Sequence, residues 1–431
     1  MNSPKQEAGM GPLMSIALVI GTMVGAGIFF LPSSLAPLGW NSTLGWLISG
    51  AGALCLAMTF RYLMDGTGEG VQHNVERVIG EMPAFIGIFA YWIIGFTSIS
   101  ALSLMGGSIL ADLLFNTQSQ QVSVTFALIL LWALVGVNLR GVRSVGSVQV
   151  ITVLIKLIPL VLVAGVFVGA VAGGADIQQM APAEVNLNNI SVAVALTLFP
   201  LLGFEAASIP VAKIRNPKRN IPLAMIGGPG LVLTLYILAT TAMVLLVPWQ
   251  DTAGSTSPFS DFLGGYFGPV TGTLMAVCIL ISVTGCNNGL ILLGTECSYG
   301  MALRKEMPQL FARTNAYGIS HWGVIAIGVG CTLLILANLS RGLTGMFEFL
   351  VLMTSGGALV FYLTGALAAV KENRKMARWP LLAIGILFIG YATYGTGLET
   401  SAWILVVLAF GLAMRWLCRR SAASEKMPAA G

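Results

Sequence analysis

Two stretches of this sequence place helix-breaking residues, and in one case a charge, inside otherwise apolar runs. The first, Ile20-Gly21-Thr22-Met23-Val24-Gly25-Ala26-Gly27-Ile28-Phe29, has three glycines in seven residues. The second, Leu198-Phe199-Pro200-Leu201-Leu202-Gly203-Phe204-Glu205, combines a proline, a glycine and a carboxylate. A helix interrupted there frees amide and carbonyl groups that hydrocarbon cannot satisfy, so the segment survives only where it lines a polar cavity or meets a ligand. Amides at the start of one half-helix suit a carboxylate, and carbonyls at the end of another suit an ammonium or a cation. A zwitterion presents both groups. Glycine allows backbone to come within hydrogen-bond distance of such a ligand. The plainer alternatives are that Gly21, Gly25 and Gly27 form a close helix-packing face, as small residues do in membrane bundles, and that Phe199 only packs.

A third feature is Lys156, set between Val153-Leu154-Ile155 and Leu157-Ile158-Pro159. A charged lysine at the bilayer centre costs at least about 2.5 kcal/mol. It lies about ten positions into its apolar run, roughly 15 Å along a helix, too deep to reach water easily by snorkelling. A buried lysine can exchange its proton, which makes Lys156 a candidate for proton coupling. Glu205 is expensive in lipid for the same reason, and two roles are open to it: capping freed amides of its own break, or proton transfer. Asp112 and Glu348 lie near the ends of apolar runs, where solvated or packing roles suffice, and Glu296 stays ambiguous.

Other chemistries lack their residues. His73 and His321 are the only histidines and lie far apart in polar breaks, and the six cysteines have no paired spacing in any outward loop. Neither a metal site nor a disulfide framework is indicated. No Ser/Lys pair, paired aspartates or histidine cluster recurs at one depth, so no catalytic residues and no enzyme are expected. A glycine-rich lysine loop for ATP is absent as well, and no cofactor is called for.

The elements that must hold these residues follow from composition. Of the 431 residues, 56% are hydrophobic and 9% charged, too few polar side chains to cover a soluble globule. A bilayer core roughly 30 Å thick needs about 20 apolar residues per helix. Such runs recur at 13–36, 42–62, 84–114, 122–139, 147–172, 190–212, 221–248, 266–302, 322–339, 346–370, 379–396 and 400–417. They are apolar on nearly every face, unlike the alternating strands of a membrane barrel. The expected fold class is therefore an all-α integral membrane protein of twelve transmembrane helices. Its first span is read as a retained helix, since no basic region, apolar core and cleavage site precede it.

Of the 22 Lys and Arg, all but Lys156 and Arg341 fall on one side of these spans, among them Lys5, Arg143, Lys213 and Lys426. Positive residues of short loops stay cytoplasmic, which puts both termini there. The net charge of +5 is then a matter of topology, and no nucleic-acid partner is needed to explain it. No polar stretch is long enough to fold separately, so residues 1–431 form one membrane domain. The two interrupted spans are the first and the sixth. Each opens a set of five, and an odd number inserts the second set upside down, as in transporters with inverted repeats. The repeats cover about 13–172 and 190–370, with terminal helices at about 379–417.

These residues resemble the amino acid-polyamine-organocation (APC) transporter superfamily, especially the basic amino acid/polyamine antiporter branch that includes arginine/agmatine antiporters. The resemblance rests on Gly21 to Phe29 followed by Leu31-Pro32, on Gly203-Phe204-Glu205-Ala206-Ala207-Ser208, and on Arg215-Asn216-Pro217-Lys218-Arg219-Asn220-Ile221-Pro222. Weaker similarity continues at Phe311-Ala312-Arg313. It implies two inverted five-helix repeats, with helices one and six broken, plus two C-terminal helices working by alternating access. Amides around Gly25, Ala26 and Gly27 would take the substrate carboxylate, and carbonyls near Met23, Phe199 and Leu202 its ammonium. Glu205 resembles a glutamate used in proton sensing or gating, and Tyr91 a gating tyrosine on span three. Lys156 resembles the span-five lysine that stands against the broken first helix in proton-coupled relatives.

Several positions depart from the branch. Phe199 replaces a tryptophan that stacks on the guanidinium of arginine, while Ile99 and Leu290 align with an asparagine and a tryptophan. Gly68-Glu69-Gly70-Val71-Gln72 replaces a proline-glycine-glycine-serine-tyrosine loop. An apolar pocket of this kind penalises an unpaired side-chain cation by several kcal/mol. The expectation is a secondary active transporter, proton-coupled and favouring a neutral or apolar amino acid. Thr22, Ser98, Asn287 and Asn288 keep a small polar substrate open. Exchange of basic amino acids or polyamines, and a sensor that moves no solute, are the alternatives. The expected setting is the lipid bilayer of the cell inner (plasma) membrane, with a small amino acid or amine and protons as partners and a homodimer left open.

Overall fold

The structure, a computed structural model, describes residues 11–25, 27–64, 70–140, 146–174, 177–178, 180–205 and 214–424. Lys5, Ala26, Gly68, Glu69, Arg143, Ala206, Ala207, Ser208, Lys213 and Lys426 lie outside the described residues. The broken first span consists of α1 (Pro12–Met23) and α2 (Gly27–Leu35), inclined to each other by 45°. The chain continues through α3 (Trp40–Leu63), α4 (Val71–Ile79), α5 (Glu81–Phe115), α6 (Gln120–Leu139), α7 (Gly146–Ala172) and α8 (Leu187–Leu198). After α8 come a single 3₁₀ turn (Phe199–Leu201) and an extended Leu202. The remainder is α9 (Pro217–Leu246), α10 (Trp249–Gly254), α11 (Pro258–Phe267), α12 (Pro269–Leu303), α13 (His321–Ala337), α14 (Gly342–Glu372), α15 (Trp379–Gly395) and α16 (Gly397–Ser424).

The described residues contain no β-strand. Among them nine helices are long and apolar enough to cross a membrane, or ten if α1 and α2 count as one bent span. The segment Leu187–Leu201 and α13 are shorter apolar helices. Leu154, Val161 and Val168, seven residues apart along α7, are each more than half exposed, whereas Leu160 and Val163 are fully buried. An apolar stripe facing outward is what lipid as solvent permits. Helices also form where no span was expected. In α4, Val71 and Val75 are buried while His73 and Arg77 face outward, so one apolar stripe anchors a helix too polar to cross the membrane.

Centrality varies between helices. In α5 and α14, 72% and 78% of the apolar window is buried inside the protein, against 11% in α16, so the former pair forms the middle of the bundle. Within α7, Pro159 has no amide to give the carbonyl of Ile155, which loosens the helix one residue from Lys156. The break after α1 is local: the Gly25 amide turns back onto the Met23 carbonyl at 2.7 Å. In a continuous helix that amide would have met the carbonyl of Gly21.

Candidate functional site

The two breaks face each other across a cavity of about 100 Å³ near the centre of the protein. Thr22 joins them directly, its hydroxyl donating to the Val19 carbonyl at 2.9 Å and the Gly203 carbonyl at 3.1 Å. Such closeness needs Gly203, whose φ is +105° and where a Cβ would sit 3.1 Å from Thr22. Gly27 is equally constrained, because a Cβ there would come within 2.1 Å of the Phe199 ring.

Two side chains from other helices serve the end of α1. Lys156 of α7, 2% exposed, donates its Nζ to the Gly21 carbonyl at 3.1 Å, taking the place of the Gly25 amide. Among the described residues no carboxylate pairs with it. The partial negative charge of a helix C-terminus is what offsets the burial of this ammonium. Tyr236 of α9, fully buried, donates its hydroxyl to the Met23 carbonyl at 2.9 Å. With Gly25 also donating, both lone pairs of the Met23 carbonyl are engaged, so the structure does not leave it open for an ammonium. The Phe199 carbonyl accepts the Leu202 amide at 3.1 Å and retains its second lone pair.

The second break is served differently. Glu205 Oε2 accepts the Gly203 amide at 3.2 Å and the Tyr362 hydroxyl of α14 at 3.0 Å, and Tyr91 of α5 stands with them on the cavity wall. All three side chains are held by the two most buried helices and the break itself.

Tyr91, Glu205 and Leu293 line both the central cavity and a second, larger one of about 420 Å³ that runs toward His73, Glu296 and Arg304. They form the neck between site and vestibule. At the vestibule, Arg304 pairs with Glu76 of α4 at 2.6 Å. The opposite side is covered by rings: Phe199 lies edge-on to Phe347 at 6.4 Å, and Phe347 lies 4.5 Å from Phe30. Fifteen residues of α14 separate Phe347 from Tyr362, which is roughly 22 Å of helix. The cavity is therefore covered by rings on one side and divided from the vestibule on the other only by the residues that line both.

Of the residues expected at the site, whether from their own chemistry or from the resemblance, Thr22, Met23, Gly25, Gly27, Tyr91, Phe199, Leu202, Glu205 and Leu290 line the cavity. Lys156 stands one layer behind it. Ile99 does not reach it: it is fully buried in a separate apolar cluster with Phe96 and Ile291, while Ile94, Ser98 and Leu102 present the cavity face of α5. One residue of shift turns a helical side chain by about 100°. Asn287 and Asn288 also turn away, Asn287 donating to Ser103 at 3.1 Å and Asn288 accepting from Asn138 at 2.8 Å. Tyr236 and Tyr362 were not foreseen. Each is a tyrosine deep in an apolar span, and a hydroxyl there needs a partner, which was the available signal.

Residues 10–424 match the family described as amino acid permease. The chain belongs to the amino acid permease family. It is 28% identical over 437 residues to a putative arginine/ornithine antiporter of Bacillus subtilis (strain 168), covering 92% of this chain and 93% of that protein. Against the putrescine transporter PotE of Escherichia coli (strain K12) the identity is 25%, covering 93% and 94%. The serine/threonine exchanger SteT of Bacillus subtilis (strain 168) is 30% identical over 318 residues, covering 71% of this chain and 70% of that one. These relatives support the resemblance to the APC superfamily and its basic amino acid/polyamine antiporter branch. The permease is thus a multi-pass membrane protein, and its relatives are transporters rather than enzymes.

Proposed function

We propose that this permease is a secondary active transporter that moves a small neutral amino acid by alternating access. The observation that carries the reading is the pair of breaks, tied by Thr22 across one small cavity that shares a wall with the vestibule. The amides at the start of α2, at Gly27 and Ile28, take the substrate carboxylate, while the Gly25 amide stays on the Met23 carbonyl. The ammonium goes to the Phe199 and Leu202 carbonyls. Phe199 and Leu290 meet the side chain, and neither offers a partner to a second cation. The count reaches twelve spans when Leu187–Leu201, the bent α1 and α2, and α13 are each counted as one beside the nine long helices. They divide into inverted repeats of about 13–172 and 190–370 and two terminal helices within a single domain of residues 1–431. The basic loops, both termini and the vestibule lie on the cytoplasmic side of the plasma membrane.

Lys156 couples this movement to protons. Its ammonium replaces a backbone amide on the Gly21 carbonyl, so loss of the proton removes a charge from the end of α1 and loosens the break. Glu205 and Tyr91 gate the neck. Reconstitution in proteoliposomes tests both statements with a radiolabelled panel of amino acids and polyamines, with and without a pH gradient. Uptake of a neutral amino acid driven by the gradient is expected, and Lys156→Ala is expected to abolish the drive. Gradient-driven uptake surviving in that variant sinks the coupling role, and failure of every compound sinks transport.

A second reading, exchange, is favoured by the names of the relatives. An arginine/ornithine antiporter, a cadaverine/lysine antiporter and a serine/threonine exchanger all work by exchange. Glu205, Glu296 and Glu306 also line the vestibule, where carboxylates suit a diamine. Uptake that requires internal substrate and ignores the pH gradient would select exchange.

A further inference from the structure

The last turn of α14 and the loop to α15 carry Lys371, Arg374, Lys375 and Arg378 within eight residues. All four line a cavity of about 340 Å³ at the junction of the two spans, with Tyr62 and Leu382 also on its wall. Glu372, the one carboxylate among the described residues that line it, is held by Arg77 at 2.7 Å. The guanidinium of Arg378 lies over the Tyr62 ring at 4.2 Å. Among the described residues, no ion pair joins Lys371, Arg374 or Lys375 to a carboxylate. Elsewhere some arginines near span ends are matched by carboxylates, Arg304 by Glu76, Arg415 by Glu306 and Arg419 by Glu81.

Charge sorting across a membrane accounts for the presence of basic residues in this loop but not for their convergence on a cavity. Below the cavity the surface is apolar. Leu367 lies five residues before the end of α14, and Ile384 and Leu387 lie five and eight after the start of α15; all three are substantially exposed. Trp379, at the junction, is 43% exposed, at the depth where indole rings favour the lipid headgroups. A basic pocket beside outward-facing apolar side chains of the same two helices is complementary to a phosphate carrying acyl chains. We propose that this cavity is a binding site for an anionic phospholipid, its phosphate among Lys371, Arg374 and Lys375 and its chains along Leu367, Ile384 and Leu387.

Native mass spectrometry of the full chain, released from detergent with added phosphatidylglycerol or phosphatidylcholine, tests the site. Phosphatidylglycerol is expected to stay bound under conditions that strip phosphatidylcholine. The K371Q/R374Q/K375Q variant is expected to weaken that retention on the order of a hundredfold, and R374Q alone on the order of fivefold. Neutralising three cations of other loops, R61Q/R140Q/R313Q, leaves it unchanged. Equal retention of the two lipids by the wild type overturns the proposal without any variant having to fold, and so does equal retention of phosphatidylglycerol by wild type and R374Q. Displacement by millimolar sodium phosphate would assign the pocket to a soluble anion and overturn the lipid.

Discussion

The two breaks face one cavity and are opposite in chemistry. The first ends a helix, so its orphaned groups are carbonyls, and donors come from elsewhere to meet them: Lys156 for Gly21 and Tyr236 for Met23. In the second, a freed amide at Gly203 is met by a carboxylate only two residues on, Glu205, which Tyr362 then steadies. In the proposed repeats, the helix that closes each set, α7 or α14, sends a side chain back to the break that opens it. A cation stands at one break and an acid at the other. The contrast shows that a break in a membrane is not a loose joint; it is a point where specific donors or acceptors are recruited, and those can change protonation.

Closing the space between the breaks has the largest expected effect. Gly27→Ala puts a Cβ where the Phe199 ring lies, so uptake in proteoliposomes is expected to fall about fivefold to a hundredfold, as for an overpacked core contact of about 1–3 kcal/mol. Adding Phe199→Ala should restore part of it. Without that rescue, the contact between the breaks is not what Gly27 serves.

Next in size is the acid at the second break. Tyr362→Phe removes a hydrogen bond to a carboxylate, worth about 1.5–3 kcal/mol, and is expected to lower thermal stability. Glu205→Gln keeps an acceptor for the Gly203 amide and for Tyr362 while losing the titrating group. It is therefore expected to fold normally and to flatten the pH profile of uptake. A pH profile unchanged from wild type would leave Glu205 with the capping role alone. At the first break, Tyr236→Phe removes a neutral bond worth about 1 kcal/mol, so a smaller loss of melting temperature than in Tyr362→Phe is expected. The reverse order would erase the distinction between the breaks. Thr22→Val is the mildest change, with about 1 kcal/mol lost and uptake reduced less than tenfold.

Much of this was legible without coordinates. Glycine density at 21–27, the Pro200–Glu205 cluster and a lysine amid aliphatic residues are local signals, because a charge or a broken helix in lipid is costly wherever it points. Span positions were legible for the same reason: α3, α5, α6, α7, α9, α12, α14, α15 and α16 fall on nine of the expected apolar runs. Short elements were not. The helices α4, α10 and α11 depend on the few residues they bury rather than on overall hydropathy.

Which face of a helix meets the cavity was illegible where the helix is apolar all round. In α5 both Ile99 and Ser98 are plausible from composition, and packing against Phe96 and Ile291 on one side and the breaks on the other decided for Ser98. The sequence by itself determined that two spans must break and that Lys156 and Glu205 must find partners, since the bilayer imposes those demands residue by residue. Only the tertiary structure decided that the partners are Gly21 for Lys156 and Tyr362 and Gly203 for Glu205, and that Tyr236 takes Met23. Apart from the amide of Gly203, these contacts join residues 135 to 213 positions apart, a separation at which no local pattern specifies the contact.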